Sequence, residues 1–140
     1  MKIKVKKLKE NAKLPKYHHP GDVGMDLYAM ETVTIMPKEH ARIWHGFALE
    51  FPIGYAAVVK DKSSISKALL HTMGGVFDAG FRGEYNTHLV NLGTEPYTIE
   101  AGDKVSQLII YPVAIAELEE VEELSDSARG TDGFGSTGRK

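Results

Sequence analysis

The chain contains no cysteine, which excludes a disulfide framework and a catalytic thiol and is compatible with a reducing compartment. It carries little net charge: the formal value is −2, so no long-range field draws it toward nucleic acid or an acidic membrane. A small anionic substrate therefore needs a local positive pocket. Long apolar runs are also missing. None approaches the roughly 20 residues that cross a bilayer, and the N-terminus lacks the apolar core of a signal peptide. A cytoplasmic protein with no nucleic-acid or membrane partner is the resulting expectation. The six histidines show no metal-ligand spacing; His18 and His19 are adjacent, and adjacent side chains in extended chain point apart. No protein metal site is assigned.

What is present is an ordinary globular composition, 42% hydrophobic and 26% charged in 140 residues, enough to bury a core without staples. The opening Met1–Lys6 alternates polar and apolar, the period of a half-buried strand with its lysines on the solvated face. Further strands are expected at Thr32–Met36, Ala41–Phe51, Tyr55–Val59, Glu84–Leu92, Tyr97–Ile99 and Lys104–Val113. Turn formers separate them, among them Pro20-Gly21-Asp22, Pro52-Ile53-Gly54 and Ala101-Gly102-Asp103. Many short strands at this spacing predict an all-β sandwich or barrel. One short helix is expected at Ser63–Leu70, capped by Ser63 or Ser64.

The acid-rich Glu117–Glu123 stretch, around Leu118, Val121 and Leu124, is expected to pack along an edge. From Ser125 onward only Phe134 offers apolar burial, and four of the nine residues from 130 to 138 are glycine. The division expected is a β domain over 1–124 and a flexible C-terminal lid over 125–140. Arg129, Phe134, Ser136 and Thr137 set among those glycines supply a charge, an aromatic face and hydroxyls, the parts of a phosphate-and-base clamp.

Other segments carry chemistry. Gly133 to Gly138 looks like half a phosphate-binding P-loop, but Arg139 and Lys140 stand where lysine and Ser/Thr belong, and no helix follows. Lys62-Ser63-Ser64 opens the short helix, where free N–H groups, a cation and two hydroxyls suit either an anion or simple capping. Asp78 follows Val76-Phe77 between glycine clusters, placed either to polarise water for attack on phosphorus or to shape a turn. Asp26 and Gln107 are polar residues inside apolar runs, buried and satisfied by backbone or held for a site.

Taken together, five segments in order resemble the trimeric dUTPase family across essentially the whole chain. They are Gly24-Met25-Asp26-Leu27-Tyr28-Ala29, Lys62-Ser63-Ser64-Ile65, Gly75 to Gly83, Gly102 to Leu108, and Arg129 to Gly138. The resemblance implies a jelly-roll homotrimer with active sites at subunit interfaces, hydrolysing dUTP to dUMP and pyrophosphate with Mg²⁺ held mainly by substrate phosphates and water. Asp78 then falls on the catalytic aspartate that activates water at the α-phosphorus. Lys62, Ser63, Ser64 and Gln107 fall on phosphate-binding positions. Thr72 and the stretch Gly75, Val76, Phe77 and Asp78 fall on the hairpin whose backbone reads uracil, with Asn86 on its return strand. Phe81 falls under the deoxyribose. Arg129, Gly135, Ser136 and Thr137 fall on the segment that meets the γ-phosphate, Phe134 on the lid over uracil, and Asp26 behind the site.

The chain departs from the family pattern at several positions. Lys62 stands for a usual arginine, losing the planar fork; Gly80 stands for an acidic residue, Phe81 for tyrosine and Asp132 for glycine. Asp78-Ala79-Gly80-Phe81 also leans toward dCTP deaminases of the same fold, but His88 occupies the position of their proton-moving glutamate and Lys67 that of its partner arginine. A catalytically silent nucleotide-binding module is the alternative from another class.

Overall fold

Eleven short strands and one helical turn make up the computed structural model, which describes residues 1–133. The strands are β1 (Lys4–Lys7), β2 (Gly24–Tyr28), β3 (Val33–Ile35), β4 (His40–Trp44), β5 (Phe47–Glu50) and β6 (Tyr55–Lys60), followed by the helix α1 (Ser63–Lys67). Then come β7 (Leu70–Thr72), β8 (Val76–Phe77), β9 (Asn86–Asn91), β10 (Tyr97–Ile99) and β11 (Lys104–Pro112). Every pairing is antiparallel: β2-β11-β6-β8, β4-β9-β7, β1-β5 and β10-β3. This is the all-β jelly roll expected.

Several boundaries differ from expectation, each for a local reason. The expected strand Ala41–Phe51 breaks into β4 and β5 at His45-Gly46, where Gly46 takes φ +72° and admits Glu84, whose carboxylate accepts the Gly46 N–H at 2.9 Å. The helix ends at Lys67 rather than Leu70, because Leu69 takes φ +60° and turns the chain into β7. Its N-cap is Lys62, with no side-chain cap, so neither Ser63 nor Ser64 caps it. Glu117–Glu123 does not pack along an edge of its own chain: Leu118 and Leu124 are almost fully exposed.

Two groups of apolar residues form the core. One gathers Leu27, Phe47, Leu49, Phe51, Val59, Tyr85 and Leu108; the other gathers Ile35, Ile43, Ile65, Leu70, Leu89, Ile99 and Val105. Burying each such side chain contributes about 1.5–3 kcal/mol. A buried polar chain ties the strands behind the site. His45 Nδ1 donates to the Tyr28 carbonyl at 2.7 Å, which leaves Nε2 to accept from the Thr87 hydroxyl at 2.8 Å. Thr87 in turn lies 2.6 Å from the Ser106 hydroxyl. Burial holds His45 neutral and lowers its pKa to about 4.

Candidate active site

Two clefts carry the residues singled out from the sequence. The first is built on β8, which pairs with β6 through Ala57↔Phe77 and Val58↔Val76. Just before it, Gly74 and Gly75 take φ +65° and +92°. The Gly75 carbonyl accepts the Val59 N–H at 2.8 Å, and a Cβ at Gly75 falls 3.1 Å from the Val59 carbonyl oxygen. Only glycine combines that backbone with that approach. Directly after β8 the chain presents Asp78, exposed, with no side-chain partner among the described residues. Its carbonyl accepts the Phe81 N–H at 3.0 Å and closes the turn. Phe81 packs its ring 5.4 Å from Phe77 and 5.8 Å from Tyr85, in space left by Gly83, where a Cβ falls 2.6 Å from the ring. The resulting cleft encloses 560 Å³ between Gly74, Gly75, Val76, Phe77, Asp78, Phe81 and Asn86, with Arg42, Trp44, Met73, Glu84 and His88 completing its wall.

The second cleft, of 340 Å³, opens where β2 meets β11 and is lined by His18, His19, Asp22, Val23, Gly24, Asp26, Lys62, Lys104 and Gln107. A register shift between Lys104 and Ser106 creates it. Lys104 and Gln107, three residues apart, face opposite sides of a regular strand; the irregularity turns both to this cleft while Val105 and Ser106 stay buried. Asp26 is buried between two cations, with Lys62 Nζ 2.8 Å from Oδ1 and Lys104 Nζ 2.7 Å from Oδ2. Burial alone raises its pKa, but the two lysines more than offset that and hold the carboxyl below its usual value. Gln107 donates its amide to the Asp61 carbonyl at 2.8 Å. The Asp61 carboxylate accepts the Thr72 N–H at 2.7 Å and meets His71 Nδ1 at 2.5 Å.

Asp78, Gly75, Val76, Phe77, Phe81 and Asn86 are thus brought together, and so are Asp26, Lys62 and Gln107. The two groups do not share one cleft within a single chain. Ser63 and Ser64 are exposed on α1 beside the second cleft and line neither, and Thr72 sits on the Asp61 carboxylate. Arg129 is exposed, its Nε donating to the Asp132 carbonyl at 3.0 Å. Phe134, Gly135, Ser136 and Thr137 lie outside the described residues. Lys104, Asp61 and Trp44 line or support these clefts without standing out in the sequence, whereas His88, considered there only against a deaminase glutamate, lies on the wall of the first. Lys104 lay inside a quoted segment, but only the cross-strand register reveals its partner.

An antiparallel jelly roll with a glycine-shaped cleft beside a carboxylate that has no side-chain partner among the described residues, and a recess edged by two lysines, defines a protein suited to a small anionic ligand. Known proteins agree. The dUTPase family model matches residues 10–138. The deoxyuridine 5'-triphosphate nucleotidohydrolase of Clostridium tetani is 42% identical over 98% of this chain and 97% of its own. The dUTPase of Staphylococcus bacteriophage 80alpha, solved with dUpNHpp, superposes with a TM-score of 0.93 at 31% identity, covering 98% of each chain. A mutant dUTPase of phage phi11 of S. aureus, described with a structural Mg(II) ion, gives 0.84 at 29% identity over 90% of this chain and 100% of that one. The chain belongs to the dUTPase family.

Proposed function

We propose that this chain hydrolyses dUTP to dUMP and pyrophosphate, with Asp78 as the group that receives a proton from the attacking water. The observation that carries this reading is the exposed Asp78 carboxylate, without a protein partner among the described residues, on the wall of the glycine-shaped cleft. Water so positioned forms a bond to the α-phosphorus while the bond to the α–β bridging oxygen breaks and pyrophosphate leaves. The backbone of Gly75, Val76 and Phe77 reads the uracil edge, where a mismatched base leaves buried polar groups unpaired. Asn86 faces the same cleft, and the ring of Phe81 supports the sugar.

The phosphates are assigned to Lys62, Ser63, Ser64 and Gln107, with Asp26 holding Lys62 from behind. Asp78 and Gln107 line different clefts of one chain, which supports a homotrimer whose sites are completed across subunits. Residues 125–140 are assigned as the lid, with Arg129, Ser136 and Thr137 on the γ-phosphate and Phe134 over the base. Ordering it costs about 1–2 kcal/mol per residue, so closure requires the full triphosphate. Mg²⁺ takes oxygen ligands and keeps several waters, so it is assigned to the triphosphate oxygens and water rather than to the histidines that edge these clefts. When bound, Mg²⁺ neutralises phosphate charge.

The test is pyrophosphate release with Mg²⁺ from dUTP, dCTP, dTTP and UTP, with ammonia followed in the dCTP sample. Release from dUTP alone, falling about 10²–10⁴-fold in Asp78→Asn, is expected. Ammonia from dCTP, or full activity in Asp78→Asn, overturns the reading.

A further inference from the structure

The outward face of the β4–β9–β7 sheet carries a histidine pair to which the proposed hydrolysis gives no role, although His88 also completes the wall of the cleft that holds Asp78. Arg42 pairs with His88 and His40 with Val90, so His40 and His88 are diagonal neighbours on adjacent strands. His40 Nδ1 and His88 Nε2 lie 2.9 Å apart, with the rings edge to face at 77° and centroids 4.8 Å apart. His40 is exposed and His88 half-buried, so both edges are open to solvent. These two residues are 48 apart in the chain, and only the strand register brings them together.

We propose that His40 and His88 chelate a divalent transition metal of imidazole-preferring type, such as Cu²⁺, Zn²⁺ or Ni²⁺. Metal–imidazole nitrogen distances are about 2.0–2.1 Å, so two nitrogens at right angles on one ion stand about 2.9 Å apart. The observed separation meets that requirement. In the empty pair one ring donates its N–H to the other. Chelation moves that proton to the far nitrogen of its own ring, the neutral tautomer with both facing nitrogens unprotonated, and small ring rotations aim both lone pairs at the ion. Water fills the remaining positions. The Arg42 guanidinium lies cross-strand from His88 and 5.7 Å from the Trp44 ring centroid. Mg²⁺, a hard ion, prefers oxygen ligands, so this pair selects a different class of ion from any Mg²⁺ carried on the triphosphate.

Trp44 is the only tryptophan in the chain and pairs with Asn86, two residues from His88 on the same face. It therefore reports on the site. Titrating the full chain with Cu²⁺ at neutral pH is expected to quench Trp44 fluorescence saturably, reversed by a chelator and unaffected by a large excess of Mg²⁺. His40→Gln, a solvent-exposed change that leaves the strand intact, and His88→Asn should each weaken the quench at least about tenfold, the loss of one of two ligands. A combined His18→Ala, His19→Ala chain, which removes the adjacent pair near the other cleft, should quench as the parent does. Quenching that is absent, that survives His40→Gln unchanged, that disappears with His18 and His19, or that Mg²⁺ reverses overturns the assignment.

Discussion

Lys62 reaches across 36 residues of sequence to hold Asp26 at 2.8 Å, while Lys104 takes the other carboxylate oxygen at 2.7 Å. Asp26 is thereby committed to the protein and serves to fix two cations at the edge of the second cleft. Its ionised form is favoured in the folded state, so its stabilisation is complete above the ordinary carboxyl pKa of 3.8 and is lost as pH falls through the lower folded value. The urea midpoint should therefore fall less steeply in Asp26→Asn than in the parent below about pH 5. Asp26→Ala should cost about 1–3 kcal/mol at neutral pH, since two partly buried ammonium groups lose their acceptor. Parallel pH curves for the parent and Asp26→Asn refute the argument.

His45 predicts a different window. A histidine neutral at the core, with its pKa lowered from 6.5 to about 4, binds its proton more weakly folded than unfolded. Stability is then full above 6.5, declines as pH falls from 6.5 to 4, and by the lower limit has lost about 3 kcal/mol. His45→Gln keeps an amide to face the Tyr28 carbonyl but removes the titration. Denaturant unfolding across this range should show a shallower slope for the variant, whatever its absolute stability. An unchanged slope means that other groups govern the acid limb.

How much of this was legible beforehand follows from where the information lies. β3, β6, β10 and β11 stand between strong turn formers and could be read from local pattern. β7 and β8, three and two residues long, could not, because cross-strand pairing rather than side-chain period makes them strands. The break at His45-Gly46 was hidden because Gly46 sits inside an apolar run whose alternation continues on both sides. Asp78, Phe81 and Gln107 stand out in the sequence through their motif neighbours. Their supports do not: Lys104 for Asp26, Asp61 for Gln107 and the His40–His88 contact all depend on register between distant strands.

Gly75→Ala tests the shape of the cleft beside Asp78. The new methyl group meets the Val59 side chain and carbonyl oxygen at 3.1 Å and must also adopt φ +92°. Backbone cannot yield as a side-chain tip can, so a loss of about 1–3 kcal/mol in thermal or urea unfolding is expected. The hydrogen bond from Val59 to Gly75 registers β6 against β8, so dUTP turnover should fall with it. A variant as stable and active as the parent contradicts the close approach described.

Gly24→Ala separates binding from stability. A Cβ at this position falls 2.1 Å from Gln107 Oε1 and 2.9 Å from its Cδ, so the amide has to swing away. That amide is the end of a flexible side chain, and the fold should lose under about 1 kcal/mol. The bond from Gln107 to the Asp61 carbonyl, 2.8 Å in the parent, is the part that breaks, and with it the placement of Gln107 in the second cleft. On the proposed reading, KM for dUTP should rise about five- to tenfold, the worth of one such hydrogen bond, with kcat less affected. Gln107→Ala should give a similar KM, and the double variant should be no worse than either single change, because both act through the same side chain. Additive losses in the double variant mean that Gly24 and Gln107 act independently, and the steric argument then fails.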